Sequence, residues 1–94
     1  MNIVFSESAA KEMAAIVRAS TTDRSYAGFR SAEEWKRLLR QPAEEPVRGR
    51  IVPEFADERL REIIDGPFRL VYIVDVYQDL ATIVAVHLRQ PSVE

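Results

Sequence analysis

The sequence predicts an α+β fold in a single domain spanning residues 1–94, ordered β-α-α-β-β-β-β, with two N-terminal helices packed on an antiparallel C-terminal meander. Three observations carry that prediction. Apolar residues recur at helical spacings as far as Leu39 and give way to short, near-continuous apolar runs after Val47. Serines at 6 and 31 stand where helix N-caps are needed. Asp65-Gly66 separates two apolar runs and reads as a hairpin turn, because both residues tolerate positive φ.

Each element follows in order. Asn2–Phe5 is short and apolar and is predicted as a first strand. Behind the Ser6 cap, Ala9, Ala10, Met13, Ile16 and Val17 form one stripe, predicting a helix from Glu7 to about Ala19. Residues Ser20–Arg30 lack periodicity and are predicted as a loop. Ser31-Ala-Glu-Glu34 has the capping-box spacing, and Trp35, Leu38 and Leu39 supply the apolar face of a second helix expected to end before Pro42. Val47–Pro53, bounded by prolines, suits an edge strand. Leu60–Ile64 and Pro67–Val74 flank the Asp65-Gly66 turn, and a further turn at Asp75–Asp79 leads into a last strand at Leu80–Leu88. Strands this apolar on both faces belong mid-sheet, with helices on one side and other structure or a partner on the other.

Composition excludes several classes of function. At 94 residues the chain buries only about two-thirds of its unfolded surface, so a partner covering part of it matters for stability. Without cysteine there is no disulfide, thiolate nucleophile or sulfur-ligated zinc, and one histidine argues against a metal site. No glycine-rich phosphate loop or nucleophile elbow occurs, so no cofactor is expected. No apolar run is long enough for a membrane span, and no cationic leader precedes one, so a cytoplasmic protein without membrane association is expected. Thirteen Lys and Arg against fifteen Asp and Glu leave a net charge of −2, so nucleic-acid binding would require a local basic patch.

The candidates for such a patch lie on the meander. With Asp65-Gly66 as a two-residue loop, Glu62 faces Arg69 across the hairpin, and a cross-strand ion pair accounts for Arg69 as readily as a functional role does. Arg61 projects from the opposite face. His87 and Arg89, two apart on the last strand, share a face. They gain functional interest only if Arg69 or Arg50 lies beside them. Arg48 and Arg50 around Gly49 make a small basic edge, while Phe68 and Tyr72 read as core rather than as a base-stacking platform.

Val4-Phe5-Ser6 before an alanine-bearing helix, Arg48-Gly-Arg50, Leu60-Arg-Glu62, Gly66-Pro-Phe-Arg69 and Val86-His-Leu-Arg89 together resemble the RelE/ParE toxin superfamily of type II toxin–antitoxin systems. The likeness is closer to the ParE branch. The paired lysines that precede the hairpin in the RelE branch have no lysine counterpart here, nor does its C-terminal tyrosine. The resemblance implies a growth-inhibiting toxin of plasmid-stabilization type, which binds and inhibits DNA gyrase and is neutralised by a cognate antitoxin. It implies binding roles for Arg50, Arg61, Arg69 and Arg89. The alternative it implies is a ribosome-dependent endoribonuclease acting on mRNA, with Arg61, Arg69 and Arg89 holding phosphate and His87 as general acid or base. A second alternative is a non-toxic partner-binding relative. A homodimer or a toxin–antitoxin heterotetramer is the implied assembly.

Overall fold

The computed structural model describes residues 1–22 and 31–88, arranged as β1 (Asn2–Phe5), α1 (Glu7–Thr22), α2 (Ala32–Glu44), β2 (Arg50–Ile51), β3 (Leu60–Asp65), β4 (Phe68–Asp75) and β5 (Leu80–Leu88). The strands form one five-stranded sheet in the order β1-β5-β4-β3-β2. All neighbours are antiparallel except β1 and β5, whose parallel pairing is permitted by the long intervening chain.

Both predicted caps form. The Ser6 hydroxyl accepts the Ala9 N–H at 3.1 Å, and the Ser31 hydroxyl accepts the Glu34 N–H at 3.2 Å. In α1 the inward stripe is Ala9, Met13, Ile16 and Val17, whereas Ala10 points to solvent. The helix also continues through Ser20–Thr22, part of the expected loop. Adding residues to an existing helix is cheap even for Ser and Thr, whereas starting one is not. The remainder of that loop, 23–30, lies outside the described residues.

Helix α2 does not stop before Pro42 but runs through it to Glu44. Pro42 continues the stripe of Trp35, Leu38 and Leu39 and is fully buried, so its packing opposes the loss of one backbone donor in the last turn. The Glu45 N–H then reaches Gln41 O at 2.8 Å and closes the helix.

The strand expected at Val47–Pro53 shrinks to Arg50–Ile51, although it does take the edge position. Its flanks bend away to bury Val52 and to bring residues 46–49 against Tyr72.

The hairpin turn also differs. Asp65 pairs with Phe68, so the two-residue loop is Gly66-Pro67. Gly66 has φ 58° and proline fixes a negative φ after it, the sign pattern of a type II′ turn. The Asp-Gly turn would need positive φ at Asp65, which is absent. Consequently Arg69 faces Ile64 rather than Glu62. The displacement is by an even number of residues, so every side chain keeps its predicted face.

One irregularity determines the far half of the sheet. Val71 pairs with Ala85 but Tyr72 pairs with Ile83, leaving Val84 as an extra residue on β5. Ala81, Ile83 and Val86 therefore all join the helix-covered face, where they pack with Trp35, Leu38, Phe68, Leu70, Tyr72 and Val74. Trp35 and Phe68 meet edge to face with ring centroids 4.7 Å apart.

Candidate functional site

The sheet face turned away from the helices carries Arg50, Glu62, Ile64, Arg69, Val71, Ala85 and His87, as register and alternation require. Glu62 sits between Leu60 and Ile64 on this face of β3 and is 2 % exposed. Such a carboxylate needs charged partners, and it has two. Its Oε1 accepts from Arg50 Nε at 2.5 Å and its Oε2 from Arg69 Nε at 2.6 Å. Arg50 reaches it from directly across on β2, and Arg69 reaches it diagonally from β4. Burial pushes the Glu62 carboxyl up, but the hydrogen bonds and charges of Arg69 and Arg50 outweigh that and hold it below its ordinary range.

Both guanidinium groups spend Nε on Glu62. Among the described residues their Nη groups have no hydrogen-bond acceptor. They open into a shallow cleft lined by Arg50, Glu54, Phe55, Glu62, Ile64 and Arg69. The segment after β2 forms one wall, turned back by hydrogen bonds from the Phe55 and Ala56 N–H groups to Val52 O and by a positive φ of 49° at Ala56. Chemically the cleft can receive an anionic oxygen between two pre-set guanidinium groups.

His87 lies directly opposite Arg69 across the β4–β5 ladder, so the neighbour that would lend it functional interest is present. Its Nδ1 is 3.6 Å from Glu12 Oε2 on α1. The other oxygen of Glu12 accepts the Val86 N–H at 3.0 Å, satisfying a donor on the stretch of β5 that extends past β1.

Arg61 does not join this cluster. It projects from the helix-covered face, as expected, and its guanidinium donates to the carbonyls of Glu58, Val47 and Gly49. Beside it the fully buried Tyr72 hydroxyl donates to Pro46 O at 2.9 Å and accepts the Gly49 N–H at 3.2 Å. Burial raises the pKa of that hydroxyl and keeps it protonated. A Cβ on Gly49 would stand 2.4 Å from the same hydroxyl, so the close approach requires glycine. Phe68 and Tyr72 are core residues, as predicted. Arg89 lies outside the described residues.

Sequence reasoning placed Arg50, Arg69 and His87 but treated Glu62 only as a partner for Arg69. A carboxylate between Leu60 and Ile64 on one otherwise apolar strand face was the available signal. Glu54, Phe55 and Glu12 carried none, because loop closure and a helix-to-strand contact brought them in. Among the described residues no cluster of three or more His, Asp or Glu could hold a metal ion. No helix among them is long and apolar enough to cross a membrane.

Residues 3–90 match the family model described as the ParE toxin of the type II toxin–antitoxin system, parDE. No curated protein matches the chain. Among solved structures, the isolated E. coli RelE toxin is similar at a TM-score of 0.65 and 20 % identity, covering 96 % of this chain and 85 % of that one. The intact E. coli RelBE toxin–antitoxin complex contains a chain similar at a TM-score of 0.54 and 21 % identity, covering 92 % of this chain and 97 % of that one. At these identities the structural likeness establishes the α+β fold.

Proposed function

This chain belongs to the ParE toxin family of type II toxin–antitoxin systems, and from that premise we propose that it arrests growth by binding and inhibiting DNA gyrase, with a cognate antitoxin neutralising it. The observation that carries this reading is the state of the arginines. Phosphodiester cleavage needs surplus positive charge where negative charge develops. Here Arg69 and Arg50 share Glu62, which leaves one net positive charge, and the exposed Glu54 on the cleft wall weakens it further. A site so balanced favours recognition of a protein surface over catalysis on RNA. Gyrase as the target places the action in the cytoplasm. The existence of a RelBE toxin–antitoxin complex on a similar fold supports a protein antitoxin.

A second reading is favoured by one specific observation, the direct pairing of His87 with Arg69. In a ribosome-dependent endoribonuclease, Arg69 would bind the phosphate of mRNA while His87, oriented by Glu12, transferred a proton.

Pulse-labelling of DNA and protein synthesis just after induction without antitoxin separates the two. The gyrase reading expects DNA synthesis to fall first and His87→Ala to remain toxic. The ribonuclease reading expects protein synthesis to fall first and His87→Ala to lose toxicity. If neither synthesis falls, the chain is a non-toxic partner-binding relative and both readings are overturned.

A further inference from the structure

The geometry points to the Arg50–Glu62–Arg69 cleft as a receptor for one acidic side chain of a protein partner, flanked by apolar residues. The inference rests on reading the protein as one that acts through protein partners, and it assigns ligand chemistry to a site that this reading leaves unspecified.

Glu62 is the organising residue. Because it is 2 % exposed and each oxygen accepts one Nε–H, it fixes both guanidinium planes before any ligand arrives. A receptor already ordered loses less side-chain entropy on binding than two free surface arginines would. Among the described residues the Nη groups have no acceptor, and the Arg50 side chain is 66 % exposed, so the outer edge of the pair faces an incoming group. Planar guanidinium groups suit a carboxylate in both geometry and charge.

Charge and surroundings select the class of ligand. Two arginines sharing one carboxylate leave a single positive charge, which the exposed Glu54 on the wall weakens, so the cleft has charge for no more than one incoming carboxylate. A run of phosphates would exceed that charge and would also meet Glu54. Ile64, 39 % exposed, and Phe55, 67 % exposed, border the same cleft and offer apolar contact to residues on either side of the acid. An acidic residue set between Leu, Ile or Phe side chains satisfies both features.

The test is a selection from phage-displayed random peptides on the full chain, with Arg50→Gln/Arg69→Gln as the counter-target and circular dichroism checking that the variant folds. Should the double variant not fold, Arg50→Gln replaces it, since that side chain is largely solvated. Enriched peptides are expected to carry Asp or Glu beside Leu, Ile or Phe. By titration calorimetry the counter-target should bind them about tenfold or more weakly. Replacing the peptide acid by its amide should cost the wild type a similar factor and the counter-target nothing further. Peptides without an acid, or affinities within about twofold between the two proteins, overturn the inference. So does a single-stranded RNA oligonucleotide that displaces the peptides while binding more tightly, which reassigns the cleft to phosphate, or self-association of the chain abolished by the two substitutions. Growth arrest on induction reads the toxin proposal separately. Arrest without acidic-peptide selection overturns this inference alone, and acidic-peptide selection by a protein that arrests nothing overturns the gyrase reading alone.

Discussion

The two faces of the sheet use the same strands and bury polar groups in opposite ways. On the helix-covered face Phe68, Leu70, Tyr72, Ile83 and Val86 are all essentially inaccessible, and the polar Tyr72 hydroxyl is satisfied by the backbone at Pro46 and Gly49. On the open face Glu62 is equally buried but is satisfied by two charges, Arg50 and Arg69, beneath the turn that carries Phe55. Neutral hydrogen bonding leaves the first face indifferent to acid. Ionic satisfaction makes the second face sensitive to it, and leaves guanidinium groups pointing outward. A buried charge on the open face, opposite an apolar core, sets the cleft proposed for recognition apart from the packing that holds the domain together.

The contrast can be broken most directly in the core. Phe68→Ala should cost about 3–5 kcal/mol in urea denaturation, while Ile64→Ala on the half-open face should cost less than about 1.5 kcal/mol. Equal losses would mean that the open face is packed as fully as the covered one. Gly49→Ala comes next, at about 1–3 kcal/mol, because its Cβ would stand 2.4 Å from the Tyr72 hydroxyl and 2.9 Å from the Glu62 carbonyl. Combining it with Tyr72→Phe should cost less than the sum of the two single changes, since the ring then lacks the clashing oxygen. Additive losses would show that the backbone contact dominates instead.

Glu62→Gln sharpens the comparison through pH. The folded carboxyl titrates below its unfolded value of about 4.3, so its contribution is complete above that value and disappears as pH falls through the lower folded one. The substitution should cost about 1–3 kcal/mol at pH 7 and progressively less in acid, where the two denaturation curves converge. A gap independent of pH would remove the ionic account of the open face. The smallest effect belongs to Arg50→Gln, expected to cost less than about 1 kcal/mol because its side chain is 66 % exposed, with Glu62 keeping Arg69 as a partner. A larger thermal destabilisation would make Arg50 a structural residue rather than a recognition residue.

Much of the fold is legible in local pattern. The limits of β1 and β5 and both serine caps agree with prediction, because each depends on residues within a few positions of itself. Local reasoning fails where distant packing competes. Pro42 reads as a helix stop, but its burial with Trp35 and Leu38 keeps it helical. The Arg48–Arg50 segment reads as an extended strand, yet Tyr72 and Arg61 pull its N-terminal side into a turn. Asp65-Gly66 reads as the turn, whereas Pro67 after the glycine moves the loop one residue on. In the cleft, Arg50 and Arg69 were visible as cations near strand ends. The Glu62–Arg69 ion pair was visible as well, but not that Arg50 shares the same carboxylate, since that depends on where the shortened edge strand pairs.

The sequence by itself determined the element order, the apolar stripes of the helices, the edge position of β2 and the inventory of arginines and the single histidine, because these are properties of composition and short-range period. Only the tertiary structure decided which of them meet. Strict alternation from Ala81 and Ile83 would carry His87 to the helix-covered face, on the far side of the sheet from Arg69. The extra residue Val84 shifts that alternation by one, seats Val86 in the core and sets His87 opposite Arg69. A bulge of this kind arises where two strands must satisfy their ladders and one shared core together, a constraint that neither strand carries alone.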